Sequence, residues 1–571
     1  KADPGIWARI ESRLDPAVEE SLIGEMTGAD RALISSLEGF EDIPLIGRLQ
    51  LKDRGILPGD VVLAVTEGGE TSSVIGAALG AHEQWKARPD YTPQASRLRV
   101  YFVYNNPDDK LRPFERSRKI LEEPGITKIN LTTGPQAITG STRMQATTIE
   151  TFVIGSVLET AVERFLRPLL SKKEMERIGF RQETTLPARL RAFARIQAEL
   201  LKQAPAIAKL TDLEATAYGQ GRFSTYFAES GLITVFIDST ERSPTFRLYP
   251  LDTVREPRRK CWIQVWTNAA DARAAWQALL GRPFRGLKPS LYKVPFEEQI
   301  DDAYLREKAL ASLAKAGDDQ AGLYDFSFAG TNAARRASKR GDLAVLALVD
   351  PEPAALLNPN SASRRFIQAS LAGGAGLGLI QVRTRTGSVP PADEGFSFLK
   401  TDPKKQPVAS VQIAVDSSDD PFGVRAQVAL KMLLNAHSTA VMAKLGKVVG
   451  NTMTNVSPSN LKLVGRATYL VQTHINDVLA GPSWIKAFGA RKPVAYGEAN
   501  AVLFDVVAFF KGRQQEVGQA AEVPVTIIRI LESLRTKAPL TNEDALAIYK
   551  KAGLAKFLAG AAAPLPAAKP E

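Results

Sequence analysis

The chain has 571 residues, 44% of them hydrophobic and 24% charged, with a formal net charge of +11 and a single cysteine. That length exceeds what one hydrophobic core serves and points to roughly three or four structural units. No apolar run reaches the ~18 residues of a membrane span, Cys261 alone excludes an internal disulfide framework, and with no signal-peptide pattern a reducing cytoplasm is the expected compartment.

The positive balance comes from 73 basic residues set against 62 acidic ones and spread along the chain, with one dense cluster, Arg255-Glu256-Pro257-Arg258-Arg259-Lys260. There is no zinc-ligand spacing, no aromatic-plus-basic RNA motif and no basic arm, so no nucleic-acid partner is expected and the cluster reads as a solvated face. The same balance suits anionic small molecules.

From residue 16 to 50 the apolar spacing is helical, and Gly55, Pro58 and Gly59 break it. Residues 60–65, Asp-Val-Val-Leu-Ala-Val, form a near-continuous apolar run, the pattern of a strand inside a parallel sheet. Thr66-Glu67-Gly68-Gly69-Glu70-Thr71-Ser72-Ser73 follows at once, and then a helical pattern over 74–85. Strand, glycine-rich hydroxyl loop and helix place a ligand at the carboxyl edge of a sheet. The loop lacks both the P-loop lysine and a G-x-G-x-x-G. Thr66, Gly68, Thr71 and Ser72 are its candidate ligand donors, and Glu67 and Glu70 are expected to face outward or to meet sugar hydroxyls. Further strands are expected at 98–104 and 126–131. Gly134-Pro135-Gln136-Ala137-Ile138-Thr139-Gly140-Ser141-Thr142-Arg143-Met144 then leads into a helix from 145 to about 170. Ser141 and Thr142 read either as a helix N-cap or as donors to an anion over the helix start.

In the second half, 232–237 reads as a strand or buried apolar run. Strands are expected at 262–266, 343–349, 377–382 and 408–415, with a helix at 270–280, so strands and helices alternate again. Residues 373–376, Gly-Gly-Ala-Gly, read as a turn before a strand. Residues 429–466 form a helical pattern with a glycine break. Helices are expected at 502–511, 523–534 and 546–558, the last capped near Thr541, and the Ala/Pro-rich tail from 561 reads as disordered. His82 and His474 read as surface residues, and His437 as a weak site candidate.

Residues 36–42 (Ser-Leu-Glu-Gly-Phe-Glu-Asp), 61–76 and 134–144 stand in the order and spacing of SIS (sugar isomerase) domains. They resemble the N-acetylmuramic acid 6-phosphate etherases and the related glucokinase regulatory proteins. Residues 218–222 (Tyr-Gly-Gln-Gly-Arg) and 238–246 (Asp-Ser-Thr-Glu-Arg-Ser-Pro-Thr-Phe) resemble the loop and the helical segment that open such domains, with Gln220-Gly221 in place of the loop's hydroxyl-bearing core. Residues 430–463, with their Ser-Thr, Leu-Gly-Lys and Ser-Asn-x-Lys-Leu strings, resemble the family's closing helices.

The resemblance implies an α/β fold: two SIS domains, doubly wound with mainly parallel sheets flanked by helices, followed by an α-helical C-terminal cap. The expected bounds are 1–170, 171–455 and 456–560. It implies a sugar-phosphate-binding protein similar to glucokinase regulatory protein; the alternatives are an etherase-like lyase or sugar phosphate isomerase, and an assembly protein that keeps only the fold. In the etherases one glutamate removes the proton α to the lactyl carboxylate and another protonates the leaving oxygen. Glu41 matches the base and Glu241 takes the corresponding place in the second domain. The acid's segment and the phosphate loop of the first domain are placed ahead of Lys1. Lys447 matches the lysine that approaches the ligand in the regulatory proteins. No metal and no organic cofactor is implied. The partners implied are a phosphorylated sugar or amino sugar and a sugar kinase, with no membrane.

Overall fold

Two glycines let the first pair of helices touch backbone to backbone. Helix Pro44–Asp53 crosses helix Ser72–Lys86 where a Cβ on Gly47 would sit 1.9 Å from the Ser73 carbonyl oxygen and one on Gly76 would sit 2.0 Å from that of Pro44. Any side chain there would push the helices apart, so the head of Ser72–Lys86 is held against the strand that precedes it. That strand, β1 (Val62–Val65), pairs in parallel with β2 (Val100–Tyr104), which pairs in parallel with β3 (Thr127–Asn130). Ile75, Trp85, Phe102, Leu111 and Ile120 bury themselves on this sheet. The structure is a computed structural model that describes residues 12, 21–57, 59–139, 141, 143–181, 184–384, 407–459, 461–518 and 520–563.

A second sheet contains β4 (Ser224–Ala228), β5 (Ile263–Trp266), β6 (Leu343–Val349), β7 (Gly376–Thr384) and β8 (Val408–Val415) in the spatial order β5-β4-β6-β7-β8. Every pairing is parallel. This is the doubly wound order in which the chain starts inside the sheet and reverses direction between its first and third strands, here between β4 and β6. Phe227, Trp266, Leu346 and Phe366 form its core. The turn expected at 373–376 is present, with Gly374 in the left-handed region at φ +81° and β7 beginning at Gly376.

Of the two readings of 232–237, the buried apolar run holds and the strand fails. Residues 232–237 are not a strand: they open helix Leu232–Phe246, whose buried Leu232, Val235 and Phe236 fall at i, i+3 and i+4. The real strand is β4, Ser-Thr-Tyr-Phe-Ala, buried at every position. The glycine pair at 219 and 221 therefore lies ahead of β4, at the end of helix Ala204–Gly219, and the loop that leaves β4 is Glu229-Ser230-Gly231.

The described residues fall into two compact units. The first draws on Lys1–Gln136, Thr142–Thr240 and Tyr249–Val441 and contains both large sheets. The second draws on Ala137–Ser141, Glu241–Leu248 and Met442–Glu571. It holds a short antiparallel hairpin, β9 (Val448–Val449) with β10 (Thr452–Met453), and the helices Leu461–Ala480, Pro482–Phe488, Tyr496–Phe510, Glu522–Thr536 and Asn542–Gly560. Thr541 caps the last of these by accepting from the Asp544 amide. The fold class is the one read from the sequence: α/β, with parallel sheets flanked by helices and a helical C-terminal region. Among the described residues no helix is long and apolar enough to cross a membrane. The candidate donor Thr142 and the tail beyond residue 563 lie outside the described residues.

Candidate functional site

The loop that leaves β1 turns sharply because Gly69 adopts φ +79°, where a Cβ would meet Leu111 at 2.8 Å and Tyr104 at 3.2 Å. The turn faces the two threonines toward each other, and Thr66 Oγ1 donates to Thr71 Oγ1 at 2.9 Å. Thr71 is the N-cap residue of helix Ser72–Lys86 but makes no side-chain cap, and Ser72 is buried in the first turn. Thr66, Gly68, Thr71 and Ser72 are thus brought together at the carboxyl edge of a parallel sheet, above a helix start whose amides favour anions and hydroxyl oxygens.

Of the two expectations for Glu67, outward or toward sugar hydroxyls, the outward one fails. Glu67 turns inward and accepts a hydrogen bond from Thr147 Oγ1, in the first turn of helix Gln145–Leu166. One turn further along that helix is Glu150, 4% exposed, which accepts from Asn105 Nδ2 at 2.6 Å. Asn105 follows β2 directly and its amide N–H donates to the Glu67 carbonyl, so both carboxylates belong to the same sheet edge. Burial, and after it the charge of Glu67, pushes the Glu150 carboxyl up to about 8, against the opposing pull of Asn105 and Lys431. The Glu150 carboxyl therefore keeps its proton at neutral pH. Nothing in the sequence marks Glu150, which reads as one more surface charge in a helical pattern.

Arg143, in the glycine- and hydroxyl-rich segment read as an anion holder, is engaged with the chain itself. Its guanidinium donates to Asp238 Oδ1 at 2.9 Å and Thr439 Oγ1 at 2.9 Å, and reaches Ser438 Oγ at 3.3 Å. Asp238 also accepts from Asn435 and Ser438, so the fully buried ion pair is held by further polar side chains. Lys431, 3% exposed, donates to the Arg143 carbonyl at 2.7 Å, Asn435 Oδ1 at 2.7 Å and Thr148 Oγ1 at 3.1 Å, clamping the start of helix Gln145–Leu166. That helix begins with Met144 at its N-cap and no side-chain cap, so Ser141 is not its cap. Glu41 ends the short helix Glu38–Glu41 and is half-buried. The segment is pinned at Gly39, where a Cβ would meet the Lys308 carbonyl at 3.0 Å, and at Phe40, which packs edge-on to Phe296.

At the carboxyl edge of the second sheet one carboxylate takes two backbone donors, while Asp350 Oδ1 and Trp266 Nε1 are buried with no hydrogen-bond partner among the described residues. The Ser230 amide donates to Glu352 Oε1 at 2.5 Å and the Val349 amide to Glu352 Oε2 at 2.8 Å. His437 is wholly buried: its Nδ1 lies 3.1 Å from Thr211 Oγ1 and its Nε2 is bonded to Glu214. Glu214 also accepts from Tyr218, Ser224 and Tyr226. His437 is thus a core residue of a closed network, and His82, read as a surface residue, is 2% exposed and bonded to Tyr91 Oη at 3.1 Å. The basic cluster at 255–260 also divides: Arg255, Arg258 and Lys260 are exposed, while Arg259 donates to the Ser224 carbonyl and to Thr225 Oγ1 and lies over the Phe223 ring.

In the second unit Ser141 is 3% exposed, and its Oγ has no hydrogen-bond partner among the described residues. The segment before it joins the hairpin, Thr139 bridging Thr452. Lys447, 6% exposed, lies just ahead of β9 with Nζ 3.4 Å from the Phe246 carbonyl. Burial, and then the charge of Arg247, pushes its ammonium down to about 8. Glu241 is half-buried on helix Leu232–Phe246. The described residues contain no group of three or more His, Cys, Asp or Glu able to hold a metal ion.

No protein-family profile matches the chain. It is similar over about a quarter of its length to N-acetylmuramic acid 6-phosphate etherases. The protein of that name from Prochlorococcus marinus (strain MIT 9313) is 30% identical over 141 residues, 25% of this chain and 38% of the relative. The one from Clostridium acetobutylicum is 29% identical over 143 residues, 25% of this chain and 40% of the relative. The one from Mesorhizobium japonicum is 30% identical over 145 residues, 25% of this chain and 39% of the relative. The chain thus spans about two fifths of the length of the curated relatives it matches, and the similarity is to a part of those etherases.

Proposed function

We propose that the protein binds a phosphorylated sugar or amino sugar, as a double-SIS protein similar to the glucokinase regulatory proteins that senses a phosphosugar and acts on a partner such as a sugar kinase. The observation that carries this reading is the loop after β1, where Thr66 and Thr71 face each other over the head of helix Ser72–Lys86 at a parallel sheet edge. The etherase similarity supports a phosphorylated amino sugar as the ligand class. The proposed donors are Thr66, Gly68, Thr71 and Ser72 in the first unit, and Ser141 and Lys447, with Thr142, in the rest of the chain. Domain bounds of 1–170, 171–455 and 456–560 belong to the same proposal. A buried ammonium already pushed down to about 8 regains its proton when an anion approaches, so affinity through Lys447 falls as pH rises past that value.

A second reading, an etherase-like lyase with Glu41 and Glu241 as its acid–base groups, is favoured by the names of the matched relatives. Thermal unfolding with fructose 6-phosphate, glucose 6-phosphate and N-acetylmuramic acid 6-phosphate separates the readings. A ligand at 100 times its Kd adds about 2.7 kcal/mol. Stabilisation by a hexose phosphate supports the sensor. Stabilisation by the muramic acid phosphate alone, with ether cleavage lost in Glu41→Gln, supports the lyase. No shift with any of them leaves an assembly protein that keeps only the fold.

A further inference from the structure

Two carboxyl groups meet at the carboxyl edge of β1 and β2, at the place where a phosphate would be expected. Glu67 arrives from the β1 loop and Glu150 from the second turn of helix Gln145–Leu166, with Thr147 of the same helix donating to Glu67. Asn105, 4% exposed, points its amide at Glu150, and its Oδ1, on the other arm of that amide, has no hydrogen-bond partner among the described residues. A buried acceptor left unmatched costs free energy until a donor arrives. Phosphate at neutral pH brings negative charge and few donors. Sugar hydroxyls bring donors that also accept.

We propose that Glu67, Glu150 and Asn105 form a recognition site for adjacent hydroxyl groups of a sugar ring, with Glu67 and the Asn105 carbonyl accepting and Glu150 donating. This rests on the phosphosugar reading above and adds to it that the β1–β2 edge receives the unphosphorylated side of the ring. The groups facing Glu150 are Glu67 from the β1 loop, Asn105 from the end of β2, Thr147 from its own helix and Lys431 from helix Val424–Lys444. Its carboxyl keeps its proton up to about pH 8, so sugar affinity falls as pH rises through that value.

The test is calorimetric titration of the full chain and of its Glu67→Gln and Glu150→Gln variants with N-acetylglucosamine 6-phosphate, N-acetylglucosamine and inorganic phosphate. Glu67→Gln is expected to weaken both sugars by about tenfold or more, since an accepting carboxyl oxygen is lost, and to leave inorganic phosphate within about twofold. Glu150→Gln is expected to retain most sugar affinity at pH 7, its amide still donating, and to abolish the decline near pH 8. Because Glu67 is only half-buried, its variant stays informative even where Glu150→Gln folds poorly. Tighter binding of phosphate or of the phosphosugar by Glu67→Gln would show repelled phosphate at this edge and overturn the proposal. Unchanged binding of both sugars also overturns it while leaving the phosphosugar reading intact. Failure of wild-type protein to bind either sugar overturns the proposal, and the phosphosugar reading falls with it only where fructose 6-phosphate, glucose 6-phosphate and N-acetylmuramic acid 6-phosphate also give no thermal shift.

Discussion

The two parallel sheet edges of the first unit differ in who supplies the partners. After β4 and at the end of β6 the backbone donors Ser230 and Val349 are taken by the chain's own Glu352, at 2.5 and 2.8 Å. Burial raises the Glu352 carboxyl's affinity for its proton, opposed by those same hydrogen bonds. After β1, Thr66 Oγ1 donates to Thr71 Oγ1, the Glu150 carboxyl is pushed up to about 8 by burial and by Glu67, and Asn105 Oδ1 has no hydrogen-bond partner among the described residues. Strand direction alone does not make a ligand site.

The largest expected effect tests the closed half. Glu214→Ala leaves Tyr218, Ser224, Tyr226 and His437 without their shared acceptor. It should cost about 3–5 kcal/mol in urea denaturation while leaving sugar affinity of the folded fraction unchanged; a weakened affinity would break the contrast. Next comes the pH response of the open half. Glu150 rises from its ordinary 4.5 to about 8 on folding, so the native state binds more protons across that window and wild-type stability declines as pH increases through it. Glu150→Gln should flatten the decline and be more stable than wild type above pH 8 by roughly 2–4 kcal/mol, as read from denaturation at pH 5, 7 and 9.

A smaller effect asks whether the closed edge can be opened. Glu352→Ala strands two amide donors and should cost about 1–2 kcal/mol, part of which inorganic phosphate returns as a rise in Tm that wild-type protein does not show at this edge. The floor is set by Arg48→Ala, which breaks an exposed 3.0 Å pair with Glu83. Its expected cost is below about 0.5 kcal/mol, and a larger loss would mean that the Gly47–Gly76 helix contact depends on that pair.

The sequence showed the strands whose apolar residues run without interruption, such as Leu343–Val349, buried throughout. It hid β4 because Ser224, Thr225 and Tyr226 look polar on paper, and only Glu214 and Arg259, brought in from elsewhere, make their burial affordable. The β-branched run at 232–237 misled in the opposite sense, because tertiary burial at helical spacing outweighed local preference. At the candidate site, the hydroxyl loop was legible from its glycines and threonines, whereas Glu150 became visible only once the fold set it beside Asn105 and Glu67. Arg143 was noticed for its charge, but its partner Asp238 lies 95 positions away.

The clamp on helix Gln145–Leu166 also constrains the time course of synthesis. Lys431 binds the Arg143 carbonyl across 288 positions of chain, so at the usual ~5–20 residues per second the ribosome delivers the fastening residue roughly 15–60 s after the helix start has emerged. Until then the first sheet waits beside a helix whose entry is unanchored, and Glu67, Glu150 and Asn105 have no fixed geometry. The three-stranded sheet, though made first, therefore matures late, and a nascent chain stalled before residue 431 should display β1–β3 without the clamp on helix Gln145–Leu166.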